Sequence, residues 1–506
     1  MTETDDRRIK SILIVGGGSA GWMTAAALAN ALQKDCAITL IESDEIGTIG
    51  VGEATIPTIR LFNQTLGIDE AEFVRATNGS FKLGIQFVDW GKRGHTYFHP
   101  FGTYGRPFDT ADIHQHWIAA RNAGHSFNFD ELCMAWAAAK EGKCAHPSRD
   151  PRSVLSTFDY AYHFDAGLYA RFLRGYAETR GVTRIEGKIA GVNLNGETGF
   201  VDSVTMANGS VIGADLFVDC SGFKGLLITE ALGTPFEDWS HWLPCNRAVA
   251  MPCENAGEPT PYTRSTALEA GWQWRIPLQH RIGNGYVYCS SFLDDDKAAE
   301  VLASRLDGKA LGDPRHIRFT AGRRTQHWNR NVIAVGLASG FLEPLESTAI
   351  HLIQANISKL IALFPDKSFD PATIAEFNRI ATTEMERIRD FIILHYKLTE
   401  RDDSELWRHA AAMDIPETLQ LKIDHFRRYG RLIAREMDLF GPASWAAVQI
   451  GQGNIPERSD PMLAYRNADG VQWLEKLRAA MAAEADRMPT HQQFIDQLCG
   501  SQPAMA

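Results

Sequence analysis

The chain begins with a polar segment of mixed charge, Met1 to Lys10, and then turns apolar. Ser11-Ile12-Leu13-Ile14-Val15 is a short run rich in β-branched residues and bounded by glycines, the pattern of a buried parallel strand. Gly16-Gly17-Gly18-Ser19-Ala20-Gly21 follows, and an alanine-rich stretch from about Trp22 to Lys34 predicts a helix. Cys36 to Ile41 predicts a second strand ending in Glu42, which completes a βαβ unit. Phe164 to Arg180 shows helical spacing, with Asp165 placed to cap it. After Gly181 the pattern changes to alternation, and Asn208-Gly209 marks a hairpin. Leu216-Phe217-Val218 predicts a buried strand ending in Asp219, and Val332 to Val335 another running into Gly336. Ala349 to Phe364 reads as a helix. From Asp370 onward helical periodicity dominates, punctuated by Pro416, Pro442, Pro456 and Pro461, with no internal repeat.

The glycine cluster changes this picture from architecture to chemistry. In GxGxxG between a strand and a helix, Gly16 permits the tight turn, Gly18 lets the backbone approach a pyrophosphate, and Gly21 allows close helix packing. The helix start, with Ser19 and Ala20, favours the anion, and Glu42 is placed to accept the ribose hydroxyls. The motif sits near the N-terminus, a long insertion separates it from the later strands, and a β-meander lies near 183–222. These features favour FAD over NAD. Gly451-Gln452-Gly453 lacks a preceding strand and a third glycine, so one dinucleotide is expected and electrons must come from elsewhere.

Length and charge bound the rest. The 506 residues suggest two or three compact units. Lys and Arg total 51 against 62 Asp and Glu, a net charge of −11, which argues against nucleic acid as a partner. No apolar run approaches the ~18–20 residues of a membrane span, and the polar start has no apolar signal core, so a cytoplasmic location is expected. Eight cysteines with no CxxC pair read as isolated, mostly buried thiols, with no metal site.

Four segments together resemble the flavin-dependent tryptophan and indole halogenases over most of residues 10–400: Gly16–Gly21 with Trp22, Gly50-Val51-Gly52-Glu53-Ala54-Thr55-Ile56-Pro57, Gly271-Trp272-Gln273-Trp274-Arg275-Ile276-Pro277, and Phe341-Leu342-Glu343-Pro344-Leu345-Glu346-Ser347-Thr348. The implied fold is α/β: an FAD-binding GxGxxG domain of the single-component flavin monooxygenase type, a mixed sheet and helix substrate domain, and a helical C-terminal part. The expected division places the FAD module at 8–70, 150–235 and 325–365. Sheet and wall segments of the substrate domain take 71–149 and 236–324, and a substrate-covering part takes 366–506. The implied reaction is halogenation, by bromide or chloride, of an indole-type ring through hypohalous acid. Reduced FAD would come from a separate NADH-dependent flavin reductase; a homodimer is left open.

The resemblance also assigns roles. Lys82, in the apolar context Ser80-Phe81-Lys82-Leu83-Gly84, would ordinarily be a surface lysine with a buried stem. The resemblance instead makes it the catalytic lysine at the far end of a tunnel from the flavin, hydrogen-bonding hypohalous acid or forming a haloamine. Glu346 becomes its partner carboxylate, holding the lysine or taking the ring proton, with Glu343 the alternative. Ser347, Thr348 and Ala349, at a helix start, are the expected halide site. Ala349 stands where many relatives have Gly, which puts halide size preference in question. Gly52, Glu53, Ala54 and Thr55 are expected to wrap the flavin edge, and Gly336 and Leu337 to contact the cofactor. Trp272 and Trp274, at i and i+2 on a strand, are either core packing or a wall between flavin and substrate. His99, Pro100, Phe101 and Trp445 are candidate substrate walls, although His99 alone is more often a structural histidine. Residues 426–455 hold one tyrosine, Tyr429, and no adjacent tyrosine pair, so a pocket more open to indoles than to tryptophan is expected. The rival readings are an aromatic monooxygenase of the same fold and a non-catalytic flavoprotein.

Overall fold

The computed structural model describes residues 6–33, 35–46, 53–109, 111–465 and 469–500. Gly50, Val51 and Gly52 lie outside the described residues.

A six-stranded sheet forms the N-terminal framework, in the order Trp328–Asn329, Val332–Ala334, Leu216–Asp219, Ser11–Val15, Ala37–Glu42 and Thr183–Glu186. All pairs are parallel except the first. The continuous apolar runs are explained by cover on both faces. On one side the helix Ser19–Leu32 packs against helices Ala166–Glu178 and Ala349–Ala362. On the other, Leu13, Val15 and Ile41 pack with Val201, Val204 and Met206 of an antiparallel three-stranded meander. The Asn208-Gly209 hairpin sits in that meander, pairing Thr205 with Val211. Asp165 caps its helix as expected, accepting from Gly167 N and Leu168 N at 3.0 Å each.

A seven-stranded sheet forms the second layer, in the order Arg315–Arg318, Arg247–Ala250, Ile282–Tyr288, Gly271–Pro277, Thr263–Ala267, Gly84–Val88 and Thr96–Pro100. It carries both tryptophans of the Gly271–Pro277 motif and the His99-Pro100 segment. A small sheet joins the two layers: Ala161–Phe164 pairs with Glu53–Ala54 on one edge and Ser80–Lys82 on the other. Through it, the end of the loop after the first βαβ unit becomes a near neighbour of Lys82.

Helices follow, led by the 27-residue Pro371–Lys397, which has Pro371 in its first turn and Asp370 capping Thr373 N. The helix Pro442–Gly451 packs on the strand Thr96–Pro100. There Gly451 has a packing role, since a Cβ would come within 2.3 Å of the Tyr97 ring. All eight cysteines are free and seven are buried. Among the described residues, no helix is long and apolar enough to cross a membrane.

Candidate active site

The glycine cluster is built as an anion cradle. Gly16 has φ +109°, and a Cβ there would lie 2.3 Å from Cys220 O; one on Gly21 would lie 1.8 Å from Gly16 O. Gly17 matters too, since its Cβ would fall 1.6 Å from Glu42 Oε2, a constraint outside the motif's consensus. Gly18 differs: a Cβ there would meet nothing within 4 Å. It caps the helix Ser19–Leu32 without a side-chain hydrogen bond, and the first N–H bonded to it is that of Trp22. The amides of Ser19, Ala20 and Gly21 therefore face the same opening as Gly18, which fits a pyrophosphate. Glu42, at the end of the second strand, accepts from Trp22 Nε1 at 3.3 Å and from Arg184 Nε. Arg184 carried no motif and was not legible beforehand. Gly336 has φ +71°, and a Cβ would come within 2.9 Å of Ala20, so its bare backbone closes on the first helix. Leu337 lines a cleft of about 470 Å³ together with Phe223, Phe319, Phe341, Arg247 and Arg324. An acidic strand end, uncapped amides and an open Gly18 fit FAD, which these residues would hold.

The lysine end is buried. Lys82 is 0% exposed and donates to Thr55 O at 3.0 Å and Ser347 Oγ at 2.8 Å. Thr55 is itself fixed, its N and Oγ1 both donating to Tyr162 O. Ser347 adopts a left-handed backbone (φ 59°), the bend that separates the short turn Pro344–Glu346 from the helix Ala349–Ala362. Burial pulls the Lys82 amine down to about 7, against the opposing pull of Glu346. Register explains the neighbouring ring. Gly84 pairs with Pro100 and Phe101 N donates to Leu83 O, so the Phe101 ring comes to lie 5.0 Å from the amine.

Glu346 was expected to hold this lysine, but its oxygens go to imidazoles. His99 Nδ1 is 2.8 Å from Oε2, and His395 Nε2 lies 2.7 Å from Oε1. Burial raises the Glu346 carboxyl, and the charges and hydrogen bonds of the two histidines outweigh it, holding it near 2. Glu343 has a different setting. Its Oε2 accepts from Trp272 Nε1 at 2.8 Å and Tyr396 OH at 2.7 Å, while Oε1 is buried without a partner. Burial lifts its carboxyl to about 7, only partly opposed by these two bonds. Glu346, then, is the carboxylate whose field reaches Lys82, and Glu343 is the anchor of an indole.

Thr348 caps the helix Ala349–Ala362 without a side-chain bond, and Leu352 N is the first amide to return to it. The amides of Ala349, Ile350 and His351 are thus the helix's unpaired donors, a fit for halide. Trp272 and Trp274 are both nearly inaccessible, with rings 6.2 Å apart and tilted by 59°. Trp445 packs edge-on to Phe391 at 4.9 Å, and Phe391 stacks on Phe440 at 3.9 Å. His99 faces both phenylalanines, at 5.6 and 6.0 Å, so one aromatic cluster links His99 with Trp445. Pro100 ends the strand Thr96–Pro100, between His99 on the strand and Phe101 just past it. Sequence reading missed Phe391, Phe440, His395 and Tyr97. A polar His395 inside Phe391-Ile392-Ile393-Leu394-His395-Tyr396 was the available signal.

A dinucleotide cradle joined by one small sheet to a buried lysine, a paired glutamate and an uncapped helix start defines an enzyme of the flavin-dependent halogenase class. A family profile described as Tryptophan halogenase matches residues 11–468, and the chain belongs to that family. It resembles the solved structure of BrvH, a flavin-dependent halogenase from Brevundimonas sp. BAL3 (47% identity, TM-score 0.94, 97% of this chain and 100% of that one). Xcc4156, a flavin-dependent halogenase from Xanthomonas campestris, is 45% identical with TM-score 0.94, covering 99% of this chain and 100% of that one. Tryptophan 6-halogenase ThaL of Streptomyces albogriseolus is 38% identical over 500 residues, 91% of this chain and 92% of the relative. The chain is a flavin-dependent halogenase that uses FAD and halide, with the mixed α/β fold of these relatives.

Proposed function

We propose that this halogenase places bromine or chlorine on an indole-type ring, with Lys82 and Glu346 receiving hypohalous acid that reaches them through a tunnel. The observation that carries this reading is the Lys82 amine, fully buried, bonded to Ser347 and set against the face of Phe101. Bound FAD, once reduced and in the presence of oxygen, supplies the oxidation of halide to hypohalous acid. Gly16, Gly18, Ser19, Ala20 and Gly21 would hold its pyrophosphate, Glu42 its ribose, and Gly336 with Leu337, the strand Glu53–Ala54 and Thr55 its remaining contacts. The amides after Thr348 would hold the halide.

At the other end, the ammonium form of Lys82 donates a hydrogen bond to the oxygen of the acid and makes its halogen more electrophilic. The neutral amine, favoured by burial, is the form that would carry the halogen as a haloamine. Glu346, kept anionic by its imidazoles, is placed to take the proton that leaves the ring carbon. Trp272 and Trp274 keep the organic ring out of the oxidising chamber. His99, Pro100, Phe101 and Trp445 form the substrate wall. The single tyrosine of residues 426–455 supports free indoles over tryptophan as substrates. The reductant comes from a separate NADH-dependent flavin reductase, in the cytoplasm.

The test mixes the protein with FAD, a flavin reductase, NADH and indole, with and without bromide, and reads product masses. A brominated product is expected. A gain of one oxygen without halide dependence would make it a monooxygenase, and no product would leave a flavin carrier. A catalytic efficiency for tryptophan well above that for indole would reject the substrate assignment.

A further inference from the structure

Glu346 is 0% exposed and meets imidazole nitrogens at both oxygens, yet only one of these imidazoles, His99, belongs to a segment with a candidate role. The other, His395, comes from the last turn of the helix Pro371–Lys397, 49 residues beyond Glu346 along the chain. Its ring is locked from several sides. Phe87 stacks on it at 4.6 Å and 21°, and Phe391 and Trp90 meet its edges at 5.5 and 5.9 Å. Its Nδ1 lies 2.9 Å from Tyr97 OH. Gln452 Nε2 donates to the His395 carbonyl at 2.8 Å and to Tyr97 OH at 3.3 Å.

These bonds set the direction of the whole chain. A backbone carbonyl only accepts, so the end of Gln452 facing it is the amide N–H. The second hydrogen of that NH2 goes to a lone pair of the Tyr97 oxygen, and the phenol hydrogen points at His395 Nδ1. With Nδ1 accepting, the neutral ring carries its hydrogen on Nε2, which lies 2.7 Å from Glu346 Oε1 with the N–H off the line to that oxygen. Gln452, Tyr97 and His395 thus form a one-way series directed toward the carboxylate, its last link a close 2.7 Å contact rather than an aligned hydrogen bond.

We infer that His395, with Tyr97 and Gln452 behind it, is a positioning residue for halogenation, fixing Glu346 as an oriented anion while Lys82 is held separately by Thr55 and Ser347. The inference rests on the proposed role of Glu346. The geometry separates the two charged groups by giving each its own hydrogen-bond partners. The carboxylate keeps lone pairs for the departing ring proton: the C–H bond breaks, its electrons return to the ring, and an O–H bond forms on Glu346. His395 keeps its own hydrogen throughout. The titratable groups facing Glu346 are Lys82 from the small joining sheet, His99 and Tyr97 from the edge strand, and His395 from the long helix. Removing the His395 donor leaves burial opposed by fewer partners, so Glu346 must titrate higher.

The experiment uses the full chain with FAD, a flavin reductase and bromide, and measures kcat and KM for indole bromination across pH. His395→Leu removes the donor, His395→Gln places an amide N–H where Nε2 was, and Tyr97→Phe releases Nδ1. For His395→Leu, kcat near neutral pH falls by about 100-fold, the scale of one proton-transfer group. KM stays within about 3-fold, and the acid limb of kcat moves up by about one pH unit or more. His395→Gln recovers to within about 10-fold with the acid limb close to that of the wild type, and Tyr97→Phe falls between them. Equal impairment of the Gln and Leu variants, or an unmoved acid limb in both, would overturn the inference. Should His395→Leu fail to bind FAD, His395→Asn takes its place, because its amide overlays Nδ1 and not Nε2. Failure of the wild type on indole would count against the substrate reading alone. In that event the Glu346 carboxylate band, identified by Glu346→Gln in infrared titrations, reports the same shift without turnover; a band titrating alike with and without the Nε2 donor overturns the inference.

Discussion

Replacing Lys82 with methionine separates what this residue does for chemistry from what it costs the fold. The two side chains are similar in length, so the buried volume is nearly kept. Burial lowers the Lys82 amine from 10.5 to about 7. At 1.36 kcal/mol per pH unit that drop corresponds to about 5 kcal/mol. The folded value lies below the unfolded one, so between pH 7 and 10.5 the unfolded chain binds the extra proton and folding gains stability as pH rises. Below pH 7 both states are protonated and the whole penalty stands; above 10.5 it is gone. Methionine also forfeits the bonds to Thr55 O and Ser347 Oγ, together about 2 kcal/mol. Lys82→Met is therefore expected to be more stable than the wild type by about 3 kcal/mol at pH 6 and less stable by about 2 kcal/mol near pH 10.5, crossing near pH 9. Thermal midpoints across that range read the stability, quenching of FAD fluorescence reads cofactor affinity, and product mass reads halogenation. FAD binding should persist and halogenation should vanish. A stability difference of constant sign from pH 6 to 10.5, or retained bromination, would refute the reasoning.

Three further perturbations probe other parts of the site. Gly18→Val should leave the thermal midpoint nearly unchanged, because a Cβ meets nothing within 4 Å, yet weaken FAD affinity about 10-fold or more by filling the space before the helix amides; unchanged affinity would place the pyrophosphate elsewhere. Glu384 is 6% exposed; burial raises its carboxyl, but His351 and the buried Lys359 outweigh that and hold it near 2. Its folded value lies below the usual 4.5, so its contribution is present above pH 4.5 and is lost as pH falls toward 2. Glu384→Gln should cost about 3 kcal/mol at pH 7 and less than half of that at pH 3 in urea unfolding; an equal loss at both would deny the ion pair its role. Phe101→Ala should raise KM for indole about 5-fold or more and broaden the set of regioisomers, as loss of one aromatic wall implies; an unaltered product pattern on chromatography would remove Phe101 from the substrate wall.

The legible part of this protein was local. The strand, glycine turn and helix that cradle a dinucleotide lie within about thirty residues, and their spacing carries the geometry. Asp165 capping its helix and the Asn208-Gly209 hairpin are similarly short-range. The motif around Trp272 and Trp274 and the Glu343 to Thr348 segment carried the family, again because each is contiguous. Tertiary structure alone decided the partners. The two glutamates of that segment lie three residues apart, and nothing in the sequence says that one meets two imidazoles and the other an indole. His99 and Glu346 are 247 positions apart, and His395 reaches them only because the long helix brings its ring against Phe87 and Tyr97 of the seven-stranded sheet. Lys82 was expected beside a carboxylate but bonds to a backbone carbonyl and a serine, because the small joining sheet brings Thr55 to it and a left-handed turn brings Ser347. Pairings of this kind depend on how separate layers stack, and a linear pattern of apolar and polar positions records which faces are buried without recording what they are buried against.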